Sequence, residues 1–263
     1  MKISAVAFLN SAPLWWGLRA GLHPEGWETA FDFPSACAGL LAAGKADVGL
    51  IPSIEFARNP DLVLAAPLCV AARREVTSVL LLCGGDLKDL ERVYLDPASR
   101  TSQALTRVLL ERRLKTMPRF EERARFRGAL GPREGALIIG DRALDLKGPL
   151  AACARHDLAA MWHDDTGLPF VFALWAARKE AASRELREVL SASCRYGQAH
   201  LGDIEAEFSR RLGIDARQIH TYLTRHLHFT LGREEMEALA LFFRLVLKEE
   251  FPHDRFRSPF GAP

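Results

Sequence analysis

No stretch of the 263-residue chain approaches the roughly 20 consecutive apolar residues that a bilayer span needs, so no membrane-crossing segment is expected. An excess of charge of one sign is also missing. The 35 basic and 33 acidic side chains leave a formal net charge of +2, too balanced for the clustered Lys and Arg of a nucleic-acid footprint. One basic stretch, residues 112–127, interleaves Glu121 and Glu122 with its arginines and follows Glu111, and it reads as a solvated face. Cysteine is scarce and scattered. Cys37, Cys69, Cys83, Cys153 and Cys194 include no C-x-x-C pair to chelate a metal or run disulfide exchange. They are expected to be reduced and mostly buried as small hydrophobes. The apolar run at residues 3–9 is short for a secretory signal core and stops at Asn10. A cytoplasmic protein is expected.

Most catalytic signatures are absent as well. The chain has no H-E-x-x-H, no G-x-S-x-G elbow, no G-x-x-x-x-G-K-[ST] loop and no G-x-G-x-x-G after a strand, so neither a metal nor an organic cofactor is expected. The pair His226-x-His228 fits an exposed strand or turn as well as a metal site. Adjacent Asp164 and Asp165 read as the polar end of a helix.

What is present is an alternation of strand-length apolar runs with stretches of helical period, the pattern of an α/β sheet. Strands are predicted over residues 3–9, up to Phe33, and over 46–51, 77–83, 93–95, 136–139 and 170–176. A short helix is predicted over 37–43, stopped by Gly44. Helical patterns dominate from Glu180 onward. Met236, Leu239, Ala240, Phe243, Val246 and Leu247 form one apolar stripe at i, i+3, i+4, i+7 spacing, expected in the core. Two strands, residues 79–83 and 170–176, bracket a middle segment of domain size and are predicted to cross between two lobes. Residues 1–83 and 174–263 would form one lobe and 84–173 the other.

Four polar clusters follow predicted strands: Asn10-Ser11, Pro52-Ser53, Ser99-Arg100-Thr101-Ser102 and Gly140-Asp141. Ligands of open parallel sheets collect at the carboxyl ends of the strands, so the clusters either converge on one cleft or cap four helices. Arg100 favours a ligand, because a cation at a helix N-terminus opposes the helix dipole unless an anion sits there. One carboxylate or phosphate would suit the hydroxyls, free N–H groups and guanidinium of this turn.

Four blocks then carry a family resemblance: FLNSAPLWWGL (residues 8–18), SRTSQALTRVLL (99–110), ALIIGDRAL (136–144) and TGLPFVFALWAARKE (166–180). In order and spacing the chain resembles the chorismate dehydratases of the futalosine route to menaquinone along nearly its whole length. The resemblance implies a two-lobed periplasmic-binding-protein-like type II α/β fold with a ligand cleft between the lobes. It also implies a cofactor-free lyase that dehydrates chorismate to 3-[(1-carboxyvinyl)oxy]benzoate. Family site residues carry over onto Asn10, onto Ser78 in VTSVLLL, and onto the Ser99–Ser102 turn, although residues 73–78 depart from the glycine- and proline-containing family pattern. The implied catalytic residues are Asn10 and Ser78. Ser11, Pro52, Ser53, Ser99, Arg100, Thr101, Ser102, Gly140 and Asp141 would bind substrate. The sister enzyme 1,4-dihydroxy-6-naphthoate synthase and a non-catalytic carboxylate-binding protein are the alternatives on the same fold.

Overall fold

The computed structural model describes residues 1–256. The chain opens with β1 (Lys2–Val6), α1 (Ala12–Arg19), β2 (Glu28–Asp32), α2 (Pro34–Ala42), β3 (Val48–Pro52), α3 (Ser53–Arg58) and the long β4 (Leu62–Ala72). It then builds β5 (Val79–Cys83), β6 (Arg92–Leu95), α4 (Arg100–Arg113), β7 (Arg119–Glu122), β8 (Glu134–Ile139), α5 (Asp141–Leu144), β9 (Ala154–Asp157) and α6 (Leu158–Thr166). It returns through β10 (Phe170–Arg178), α7 (Arg184–Ala199), α8 (Leu201–Leu212), α9 (Ala216–Thr221), β11 (His228–Thr230) and α10 (Arg233–Leu247).

These strands form two sheets, one for each lobe: β11-β4-β10-β3-β1-β2 and β7-β6-β8-β5-β9. In the first, β1 runs parallel to β2 and β3, and β10 lies antiparallel between β3 and β4. Neither strand predicted to cross does so. All of Val79–Cys83 pairs within the second sheet, with β8 and β9, and Phe170–Arg178 pairs only within the first. The crossings are residues 73–78 and the turn 167–169, so the lobe boundary falls before Val79 rather than after Cys83. The outward crossing is exposed at Arg73, Arg74 and Glu75 and strained at Thr77, whose φ is +60°. Thr77 is held there by the half-buried carboxylate of Asp157, which accepts from the N–H groups of Val76 (3.0 Å) and Thr77 (2.6 Å) and also caps α6.

Strand period explains the second sheet. Val79, Leu81 and Cys83 face the main core, while Leu80 and Leu82 face a second cluster with Tyr94, Phe126, Ala136, Ile138 and Leu150. The sequence pattern misses β4, because Pro67 and its alanines break the expected run. The pairing with β10 is irregular around that proline, which has no N–H to give a ladder. On α10 the buried face is rotated from the predicted stripe. Leu239 and Phe243 are buried as expected, but Glu235, Ala238 and Phe242 complete the face, while Met236, Ala240, Val246 and Leu247 are only partly buried. Glu235 is accommodated by His228 Nε2 at 2.9 Å and by the Gly232 N–H at 2.9 Å. All five cysteines are free, with Cys153 alone partly exposed. Among the described residues no helix is long and apolar enough to cross a membrane.

Candidate active site

A narrow cleft lies between the sheets, with a cavity volume of about 40 Å³, smaller than an open small-molecule site. Its apolar walls come from strand ends of both lobes, among them Val6, Leu50, Val70, Val79, Ile139 and Phe172, with Phe8 and Pro34 from loops. Of these wall residues Phe8, Ile139 and Phe172 fall within the blocks that carry the family resemblance, and the others lie outside them. The polar surface belongs to Asn10, Ser11, Ser99 and Ser102, with Pro52 and Gly140 completing the lining. Among the described residues no charged side chain lines it.

Asn10 lies in a 3₁₀ turn, Leu9–Ser11, directly after the loop that leaves β1. Its carboxamide has no hydrogen-bond partner among the described residues, so it caps neither that turn nor α1. Ser11 is spent locally: its hydroxyl lies 2.7 Å from the Val6 carbonyl and 2.9 Å from that of Phe8, with Trp15 Nε1 also donating to Val6. At α4 the Ser99 side chain accepts from the Ser102 N–H (3.3 Å), and the two hydroxyls are 2.8 Å apart. One hydroxyl proton of that pair remains to be donated. The N–H groups of Arg100 and Thr101 open the first turn of a 14-residue helix, without intrahelical partners.

Five predicted ligand-binding or catalytic residues do not line the cleft. Arg100 turns away, and its guanidinium pairs with Glu55 at 2.8 Å on an exposed face, a contact worth about 0–1 kcal/mol. Glu55 thus explains an arginine at a positive helix end without any bound anion. Ser53 donates to the Val171 carbonyl of its own lobe (2.8 Å), while Thr101 accepts from the Ile54 N–H (3.2 Å) and so clasps α4 to α3 across the lobes. Asp141 accepts from the Leu9 N–H at 3.0 Å, a second clasp beside Asn10, with Arg211 3.7 Å away. Ser78 is fully buried one residue before the cleft wall at Val79, and its Oγ accepts from the Tyr222 hydroxyl at 2.6 Å. Burial pushes the pKa of Tyr222 up and keeps it a donor, so the Ser78 proton is available to another acceptor. Tyr222 is the polar partner that sequence reasoning missed, since 144 residues separate the pair.

Three of the remaining histidine and aspartate candidates, His226, His228 and Asp165, are held in ion pairs of their own. His226 meets Glu75 at 3.4 Å, and Asp165 holds Arg113 through both carboxylate oxygens. Among the described residues no group of three or more His, Cys, Asp and Glu side chains is placed to hold a metal ion.

Burial raises the carboxyl pKa of Asp141 to about 6, against the opposing pull of the Leu9 N–H and Arg211. A folded-state value above the unfolded one means that the folded chain holds a proton that the unfolded chain has released. Stability contributed by this group is therefore complete below about pH 4 and lost as pH rises through 6. Asp141→Asn keeps an oxygen to accept from Leu9 and removes the buried charge. Its melting temperature should exceed that of the parent at pH 8, by an amount on the order of 2–3 kcal/mol of stability, and the difference should vanish near pH 4. Thermal melts of both proteins from pH 4 to 8 test this, and a gap independent of pH would show that the carboxylate is not what destabilises the clasp.

Comparisons with known proteins agree with this architecture. A family model described as menaquinone biosynthesis matches residues 1–248. The chain is 32% identical over 251 residues to the chorismate dehydratase of Thermus thermophilus, covering 89% of this chain and 90% of that one. It is 27% identical to the chorismate dehydratase of Campylobacter jejuni, covering 93% and 96%. Among solved structures it is similar to a protein of Archaeoglobus fulgidus, with a TM-score of 0.71 at 13% identity over 94% of this chain and 96% of that one. It is also similar to the periplasmic aliphatic sulphonate binding protein of Escherichia coli, with a TM-score of 0.61 at 16% identity over 100% and 92%. The fold is thus that of the periplasmic binding proteins.

Proposed function

The chain belongs to the menaquinone biosynthesis family, and we propose that it is a chorismate dehydratase acting in the cytoplasm, converting chorismate to 3-[(1-carboxyvinyl)oxy]benzoate and water. The observation that carries this reading is a cleft between two lobes that is uncharged among the described residues and walled by apolar side chains, yet offers several hydrogen-bond donors. Such a site suits a substrate that needs positioning more than it needs a reagent. Chorismate is one dehydration from an aromatic ring, so the substrate supplies the driving force and the protein fixes geometry and excludes water.

In the proposed reaction the ring carbon that bears the ether oxygen loses its proton, the C–OH bond of the neighbouring carbon breaks with loss of hydroxide, the electron pair of the C–H bond completes the aromatic ring, and the hydroxide takes up the abstracted proton to leave as water. The Asn10 amide and the Ser99–Ser102 turn, with the free N–H groups of Arg100 and Thr101, would donate to a substrate carboxylate and to the departing hydroxyl. Ser78, backed by Tyr222, would donate from the adjacent wall. Among the described residues no carboxylate or imidazole lines the cleft as a base. The substrate's own enolpyruvyl carboxylate is therefore the proposed proton acceptor.

Incubating the purified protein with chorismate tests the reading. Chorismate should disappear with formation of an aromatic product lighter by one water, without added metal or cofactor. Chorismate left intact by folded protein would remove the assignment and leave a carboxylate-binding protein as the better account.

A further inference from the structure

Beside the uncharged cleft stands a group of arginines that the reaction above does not use. Phe8, a cleft wall residue, packs edge-on against Phe33 with ring centroids 6.1 Å apart, and Phe33 is 51% exposed next to cleft-lining Pro34. Phe33 thus marks the rim on the first lobe. From the second lobe the guanidinium of Arg125 reaches to 5.7 Å from the centre of that ring.

Arg125 is positioned rather than loosely tethered. Its φ is +50°, a conformation rare for a side-chain-bearing residue, and its N–H donates to the buried carboxylate of Asp96 at 3.2 Å. The same Asp96 accepts from the Ala98 N–H, fixing the approach to the Ser99–Ser102 turn. Arg127 and Arg142 are close behind. Arg142 follows cleft-lining Gly140 by two residues and donates to the Phe126 carbonyl at 2.8 Å. Burial lowers its pKa, the charges of Arg127 and Arg125 lower it further, and Asp96 alone opposes them. Among the described residues none of these three guanidiniums has an ion-pair partner, although twenty-one ion pairs form elsewhere. Three guanidiniums grouped around the single carboxylate of Asp96 leave positive charge uncompensated, and a bound anion would relieve that repulsion.

We infer that Arg125, supported by Arg127 and Arg142, captures one carboxylate of a dianionic ligand at the mouth of the cleft, and so supplies the positive charge that the cleft lacks. The inference rests on the dehydratase reading, in which the substrate carries two carboxylates and the Ser99–Ser102 turn accounts for only one. It also gives part of the basic stretch at residues 112–127 a role beyond solvation.

Steady-state kinetics with chorismate over a range of ionic strength test it. Arg125→Gln should raise KM about ten-fold, with kcat nearly unchanged, because the contact is made at a solvent-facing rim before chemistry. Arg125→Lys should recover most of the loss. The parent KM should rise with salt, and in the Arg125→Gln/Arg127→Gln double variant that response should flatten. If Arg125 merely stacks on Phe33, KM in the double variant and its salt response will match the parent, which overturns the inference. Absence of product from the parent enzyme itself would instead remove the functional reading, and the inference with it.

Discussion

Asn10→Asp is expected to lower chorismate turnover by about two powers of ten or more, while the melting temperature hardly moves. The substitution is nearly isosteric, and aspartate and asparagine are comparable helix caps, so a capping residue would tolerate it. The structure removes the capping explanation on other grounds, since the Asn10 carboxamide bonds to nothing among the described residues and α1 has no side-chain cap. What the change alters is the cleft. A donor becomes an acceptor-only anion in a low-dielectric cavity that contains no cation to neutralise it. If the amide donates to a substrate carboxylate or to the departing hydroxyl, the lost bond and the new repulsion act together. Turnover and thermal melts on the same preparation decide the matter. Near-normal turnover would make Asn10 a bystander, and a large drop in melting temperature would make it structural.

The largest effect on stability is expected at Gly197, where α7 meets α1. A Cβ there would lie 2.2 Å from the Pro13 carbonyl oxygen and 2.8 Å from its carbon, and neither main-chain atom can rotate away. Gly17 on the facing helix is under the same constraint, its Cβ falling 2.6 Å from the Ser193 Cα. Ser193 stitches the contact by donating to the Leu14 carbonyl (2.9 Å) and accepting from the Leu18 N–H (3.0 Å). Gly197→Ala must push the helices apart and should cost about 3 kcal/mol, the upper part of the range for overpacking. That corresponds to a fall of roughly 6–12 °C in melting temperature for a chain of this size. Because α1 begins where the Asn10 turn ends, turnover should fall as well. Gly39→Ala provides the contrast. It lies on the exposed side of α2 with nothing within 4 Å of its Cβ, and should gain about 0.5–1 kcal/mol from helix propensity alone. A Gly197→Ala protein as stable as the Gly39→Ala protein would show that the helix contact is softer than its geometry.

How far the sequence was readable follows from which interactions are local. Strand-length apolar runs located β1, β3, β5, β8 and β10, because a buried strand must be apolar whatever it pairs with. The same logic failed for β4, where a proline interrupts the run and only the pairing with β10 and β11 sustains it. Strand ends were enough to bring Asn10, Ser11, Pro52, Ser99, Ser102 and Gly140 to one cleft. They were not enough for Arg100. The local argument from the helix dipole was sound, but the partner turned out to be Glu55, 45 residues away on the other lobe. Tyr222 behind Ser78 and Arg125 over Phe33 were out of reach for the same reason. Each depends on a tertiary juxtaposition that leaves no periodic trace.

The place of β10 in the first sheet bears on how the chain is made. Since β3 and β4 are not neighbours and meet only through β10, the sheet stays open between them until residues 170–178 have left the ribosome. The second sheet needs nothing beyond Asp157, so it is complete earlier in vectorial synthesis. During that interval the nascent chain carries one unpaired edge on β3 and two on β4, whose other neighbour β11 comes later still, the situation in which chaperones hold a chain that could otherwise pair with another copy of itself.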